Sequence, residues 1–206
     1  MRNQQLLNQN WIFQYHDGSR TQVNIPHTWN AQDGQDGGND YWRGTCIYEK
    51  TFSAPERTEN QLVYLEFAGV NASAKVTVNG TVVATHDGGY STFRADITQV
   101  LQPENHMVVE VDNSVNDRVY PQKADFTFYG GIYRDVNIVC VSDSHFDLDY
   151  YGGPGIMVTP TVEGANANVE VQVFLTNAKE GQTVKYTIYD KDENEIATLE
   201  TAETKA

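Results

Sequence analysis

Few residues in this sequence are spaced for bond-breaking chemistry. There is no Ser-His-Asp order, no zinc-ligand spacing, and no Gly-rich phosphate loop set between a strand and a helix. The one Asn-Glu pair, Asn194-Glu195, lies in the run Asp190-Lys191-Asp192-Glu193-Asn194-Glu195, which reads as a solvated turn. His27, between Pro26 and Trp29, reads as a hydrogen-bonded structural histidine rather than a proton shuttle. Arg134 and Asp135 open an apolar strand and read as a structural ion pair or loop clamp. What remains is Asp125, within Lys123-Ala124-Asp125-Phe126-Thr127-Phe128-Tyr129-Gly130-Gly131. A carboxylate there can accept several charge-assisted hydrogen bonds from hydroxyl groups. It can equally be a plain surface-loop aspartate.

The elements that would hold such a residue are strands. Runs with β character recur at Cys46–Phe52, Gln61–Phe67, Ala74–Val78, Val82–His86, Met107–Val111, Arg134–Val141, Val169–Leu175 and Thr183–Tyr189. No long amphipathic helix interrupts them. Asn79-Gly80 between two such runs predicts a tight hairpin, because both residues accept positive φ. Gly88-Gly89 permits a reversal before Tyr90. Asp96-Ile97-Thr98 predicts a side-chain-capped turn with Ile97 inward. Asn30–Asp40 and Asn113–Gly131 resist assignment as strands. Long loops within a compact domain tend to carry function.

The 206 residues carry 28 acidic and 14 basic side chains, a formal net charge of −14. No basic surface is left to neutralise phosphates, so nucleic acid and anionic membranes are excluded as partners. No apolar run is long enough to span a bilayer. Met1–Asn10 is polar, without the apolar core of a signal peptide, so the expected compartment is the cytoplasm. Cys46 and Cys140 are expected to be buried free thiols.

Six landmarks occur in a fixed order: Ile25-Pro26-His27-Thr28-Trp29-Asn30, Tyr48-Glu49-Lys50-Thr51-Phe52, Phe67-Ala68-Gly69-Val70, Val76-Thr77-Val78-Asn79-Gly80, His86-Asp87-Gly88-Gly89-Tyr90 with Phe93 and Asp96-Ile97-Thr98, and Tyr129-Gly130-Gly131-Ile132-Tyr133-Arg134-Asp135-Val136. The series resembles the N-terminal sugar-binding domain of glycoside hydrolase family 2, over about Trp11–Val141. Cys46 departs from the usual small residue or Trp, which bears on packing. The resemblance implies an all-β chain: a jelly-roll-like β-sandwich over 1–143, then a truncated immunoglobulin-like β-sandwich over 144–206. A cut domain would leave a strand edge unpaired, which predicts self-association into homo-oligomers or mobility beyond Phe146.

The activity implied is retaining hydrolysis of terminal β-galactosides, with β-glucuronidase and β-mannosidase as alternatives in the same family. Retention requires two carboxyl groups about 5–5.5 Å apart. In this family they sit on a (β/α)₈ barrel that this chain lacks, so the chain alone is expected to be inactive, with no catalytic residue of its own. Its partners would be the sugar and the enzyme's own barrel. The resemblance places Asp125 on a loop reaching that barrel, where it would contact sugar hydroxyls and help hold a monovalent cation. Asn39, Asp40 and Arg43 are further sugar-contact candidates. Sodium and magnesium are implied for the full-length enzyme and no cofactor for this chain. Galactose is preferred to glucuronate because the Asp125 carboxylate would repel an anionic sugar. The competing classes are a free-standing carbohydrate-binding module and a purely structural or oligomerisation domain.

Overall fold

The alternation of apolar and polar residues works out as strands in a computed structural model, which describes residues 2–33, 41–120 and 127–202. Two compact units emerge, Met1–Val141 and Ser142–Ala206. The first contains β1 (Asn3–Leu6), β2 (Trp11–Gln14), β3 (Arg20–Val23), β4 (Thr45–Ser53), β5 (Gln61–Phe67), β6 (Val70–Asn71), β7 (Ser73–Val78), β8 (Thr81–Asp87), β9 (Phe93–Asp96), β10 (Glu104–Asp112) and β11 (Gly131–Ile132). β12 (Val136–Ser142) ends it. A six-stranded sheet runs in the order β3-β2-β4-β10-β7-β8, a four-stranded sheet in the order β1-β12-β5-β9, and β11 pairs with β6.

The core lies between the two larger sheets, as a β-sandwich requires. In β10, Asn105, Met107, Val109 and Val111 are buried, while the residues between them face out or are half covered. Register puts Val109 beside Tyr48 on one side and Val76 on the other. Trp11, Tyr48, Met107 and Val76 meet Val63, Leu65, Phe67 and Ile138 from the facing sheet, all at 1% exposure or less. Each such side chain contributes about 1.5–3 kcal/mol when removed from water. β12 is buried on both faces from Val136 to Val141, which explains its apolar run Ile138–Val141. Beside it Glu66 is 7% exposed, yet its charge is met by Arg94 at 2.6 Å and Arg2 at 3.0 Å.

The expected turns form. Asn79 and Gly80 have φ of 51° and 82°, and Val78 pairs with Thr81 across them. The Asn79 side chain also donates to Val100 O at 2.8 Å and accepts from His106 N at 2.9 Å, so the hairpin is tied to its neighbours. The Asp96 carboxylate accepts from Thr98 N at 2.8 Å, and Ile97 is fully buried. Cys46 and Cys140 are buried free thiols. Burial pushes the Cys46 thiol up to about 12, so it stays protonated.

Two sequence expectations are corrected. The run expected from Arg134 becomes a strand only at Val136, because Arg134 and Asp135 spend their side chains on loops. The expected strand Val169–Leu175 breaks at Phe174, whose N–H turns to Gly155 O at 2.8 Å. The polar N-terminus forms β1 on the edge of the smaller sheet, where outward side chains carry no apolar pattern.

The second unit contains β13 (His145–Phe146), β14 (Ile156–Glu163), β15 (Asn166–Val173), β16 (Leu175–Thr176), β17 (Thr183–Tyr189) and β18 (Glu195–Ala202). They pair as β13-β16, β14-β15 and β17-β18. β18 carries the chain through to Ala202. Its register is set by Asp190, whose carboxylate accepts from Asp192 N at 2.8 Å and Asn194 N at 2.9 Å. Apolar side chains remain exposed here, including Val158 (60%), Val162 (71%), Ile196 (63%) and Leu199 (61%). No described helix is long and apolar enough to cross a membrane.

His27 takes the structural role expected of it. Its Nδ1 meets Tyr48 Oη at 2.7 Å, and its ring lies 4.7 Å from Phe13. In the tautomer protonated at Nε2, Nδ1 accepts the hydrogen bond of the Tyr48 hydroxyl, and protonating the ring removes the lone pair that accepts it. Burial lowers the His27 pKa below its ordinary 6.5 and raises that of Tyr48 well above 10. The unfolded chain therefore binds the His27 proton more readily than the folded one. Stability should be full above about pH 6.5 and should fall as pH drops toward the lower folded pKa. His27→Gln should reduce that slope in melting temperature between about pH 7 and pH 5. An unchanged slope would contradict the assignment.

Candidate functional site

Asp125, Asn39 and Asp40 lie outside the described residues, and Arg43 lies within them. The described residues do show what holds the flanks of both segments. The centre of that framework is Asn30, fully buried. Its Oδ1 accepts from Gly130 N at 2.8 Å and from Asn113 Nδ2 at 3.1 Å. Its Nδ2 donates to Asp33 Oδ2 at 2.7 Å and to Trp42 O at 2.8 Å. Two donors and two acceptor positions are all an amide has, so Asn30 is saturated.

Asn113, also fully buried, extends the network. Its Oδ1 accepts from Gly44 N at 2.9 Å, and its own N–H donates to Gly44 O at 3.2 Å. Asp33 Oδ2 accepts a second bond from Trp42 N at 3.1 Å, which ties together the two ends of segment 34–40. Four stretches of chain thus meet at two amides: Thr28–Asp33, Trp42–Gly44, the end of β10, and Gly130. Gly130 must be glycine, since an added Cβ would lie 2.1 Å from the Trp29 ring.

A second amide holds the flanks of segment 121–126. Asn71 Oδ1 accepts from Tyr120 Oη at 3.1 Å, and Nδ2 donates to Tyr129 O at 2.8 Å. Tyr120 stacks on Tyr90 with ring centroids 5.0 Å apart. Burial raises the Tyr120 pKa, and its contact with Tyr90 adds to the rise. Gly89 packs so closely on Asn71 that a Cβ would lie 2.2 Å from Oδ1. Tyr133 Oη donates to Gly89 O, and Arg134 donates to Tyr90 O at 3.2 Å. Asp135 accepts from Asn8 Nδ2 at 2.7 Å. Arg134 and Asp135 are therefore loop clamps bonded to other partners, rather than to each other.

Arg43 is half buried, with its guanidinium 4.3 Å above the Tyr41 ring. Its Nε is buried without a hydrogen-bond partner, as is Trp29 Nε1. Among the described residues no three His, Cys, Asp or Glu side chains gather to hold a metal ion. The cation expected at Asp125 involves a residue outside the described set. Glu195 opens β18 on an exposed hairpin and accepts from Thr198 Oγ1 at 2.6 Å, as suits a surface residue.

Sequence reasoning missed Asn30, Asn71 and Asn113. Asparagine is the ordinary residue of exposed turns, and its type alone carries no sign of burial. The one usable signal was position, each beside a strand end or a long unassigned segment.

The chain is similar to known proteins along nearly its whole length. A family model described as glycosyl hydrolases family 2, sugar binding domain, matches residues 6–141. A β-glucuronidase of Bacteroides fragilis is 34% identical over 197 residues, covering 93% of this chain and 28% of that protein. A β-galactosidase of Thermoanaerobacter pseudethanolicus is 32% identical over 150 residues, covering 70% of this chain and 20% of that protein. The crystal structure of an FMN-binding β-glucuronidase from Faecalibacterium prausnitzii L2-6 superposes with a TM-score of 0.93 at 44% identity, covering 98% of this chain and 32% of that one. The chain thus spans no more than about a third of these relatives.

Replacing Asn30 with Ala would leave the Gly130 N–H and the Trp42 carbonyl buried without partners. Each orphaned group costs about 1–3 kcal/mol, so Asn30→Ala should lose about 3 kcal/mol or more in denaturant unfolding. A loss below about 1 kcal/mol would show that water replaces the amide and that the clamp is dispensable.

Proposed function

This chain belongs to glycoside hydrolase family 2, and we propose that it forms the sugar-recognition front of a retaining β-glycosidase acting on terminal β-glucuronides. The observation that carries the proposal is the amide framework. Asn30 and Asn71 fix the flanks of segments 34–40 and 121–126, as a rigid mount for substrate-contacting segments requires. Glucuronide is chosen because relatives named β-glucuronidase match this chain at 34% and 44% identity.

The bond-cleaving carboxyl pair would come from the rest of the polypeptide. The role proposed for this chain is binding: Asp125 accepting hydroxyl hydrogen bonds, with Asn39 and Asp40 supplying further polar contacts. The sodium and magnesium expected for the whole enzyme belong to the same proposal. The exposed apolar residues of β14, β15, β17 and β18 fit an immunoglobulin-like domain completed by further strands. A β-galactoside is the second reading. It is favoured by the acidic Asp125 and by the β-galactosidase relative at 32% identity.

Four measurements test the proposal. The 206-residue chain should not turn over aryl β-glucuronides or β-galactosides, and calorimetry should find no micromolar binding of either sugar. Tight binding by this chain alone would favour a free-standing module. The full-length enzyme should show the higher kcat/KM on p-nitrophenyl β-glucuronide, and a preference for the galactoside would install the second reading. In that enzyme Asp125→Asn should lower kcat/KM about 10- to 150-fold, the worth of one charge-assisted contact. An unchanged kcat/KM would reduce the segment to scaffold.

A further inference from the structure

Of the seven arginines in this sequence, six have an evident task. Arg2 and Arg94 pair with Glu66, Arg20 with Glu49, and Arg118 with Asp87. Arg57 donates to Gln61 O at 2.6 Å, and Arg134 to Tyr90 O at 3.2 Å. Arg43 alone has neither an ion pair nor a hydrogen bond from its side chain among the described residues. Scarcity of acids is no explanation, with 28 carboxylates against 14 basic side chains.

The position is held rather than loose. Trp42 on one side is pinned through its N–H to Asp33 at 3.1 Å and through its carbonyl to Asn30 at 2.8 Å. Gly44 on the other side is pinned to Asn113 at 2.9 Å. A Cβ on Gly44 would lie 2.5 Å from the Trp42 ring, so the backbone fits only one way. The guanidinium lies over the buried Tyr41 ring at 4.3 Å, a geometry that uses the face of the group and not its N–H edges. Nε is buried without an acceptor. A buried donor is costly unless something arrives to accept from it.

We propose that Arg43 is a preset anchor for a carboxylate that the described residues do not supply. The planar fork of N–H groups matches a carboxylate through two parallel bonds, and little ordering is left to be done when it binds. The carboxylate has two possible sources: the uronate group of the sugar, or an acidic side chain of the remaining polypeptide. The first source rests on the glucuronide reading above, and the second does not.

The test uses the full-length enzyme with Arg43→Met and Arg43→Lys. Both are assayed on p-nitrophenyl β-glucuronide and p-nitrophenyl β-galactoside, and both are melted. If the sugar supplies the carboxylate, Arg43→Met should lose about 10- to 150-fold in kcat/KM on the glucuronide, mainly through KM, and far less on the galactoside. If the protein supplies it, both substrates should lose alike or the melting temperature should fall. In either case Arg43→Lys should recover part of the loss, because it keeps the charge. No change in kinetics or melting overturns the proposal, and so does a lysine variant as impaired as methionine. A wild-type enzyme inactive on both sugars would sink the glycosidase reading instead, and the melting comparison would still decide Arg43.

Discussion

The primary amide of Asn30 ties the chain together at Asp33, Trp42, Asn113 and Gly130. The apolar core sets the two sheets face to face and takes in Ile25 and Ile97 from the connections, with Trp29 and Trp42 packed against it, but it satisfies no backbone polar group of the segments that leave the sheets. Loop backbone carries the same obligatory donors and acceptors as a strand, without a neighbouring ladder to satisfy them. Asn30 supplies the missing partners to Gly130 and Trp42 while meeting the side chains of Asp33 and Asn113. Burial makes the arrangement stringent, since every group it satisfies has lost its water.

Asparagine suits this post for a physical reason. It is short enough to be buried whole, and it presents two donors and two acceptor positions without charge. An aspartate there would lose both donors and face Asp33 across 2.7 Å. Asn71 repeats the device beside the aromatic side chains Tyr90, Tyr120 and Tyr133. In both places a glycine allows the close approach: Gly130 against Trp29, and Gly89 against Asn71. The mount of Arg43 follows from the same framework, since its two neighbours in sequence are both bonded to it.

Much of the sandwich was legible in the sequence. Gln61–Phe67 and Thr183–Tyr189 coincide with β5 and β17 because an apolar run marks the first and an apolar residue at every second position, Val184, Tyr186 and Ile188, marks the second. Asn79-Gly80 was legible because type I′ geometry restricts residue choice so strongly. The edge strand β1 was not, since an edge strand with outward side chains needs no apolar residues, and β18 was not, since Ile196 and Leu199 lie three apart and break the two-residue alternation. The site was legible only in outline. Position and family resemblance pointed to the long segments, whereas the buried amides that hold them are encoded by the residue that usually marks solvent-exposed turns. Of the candidate contacts, Arg43 alone falls where its surroundings are described, and the missing partner there is a property of folded geometry that no sequence pattern carries.

The central claim is that loop backbone at this end is held as firmly as core strand. Native-state hydrogen exchange tests it residue by residue. The amides of Trp42, Gly44 and Gly130 lie outside the strand ladders, and the account predicts that they exchange about as slowly as those of Val109 and Val111 in β10. Exchange at the rate of an open loop would show that the clamp opens on its own, and that the buried amides do not hold the candidate site in place.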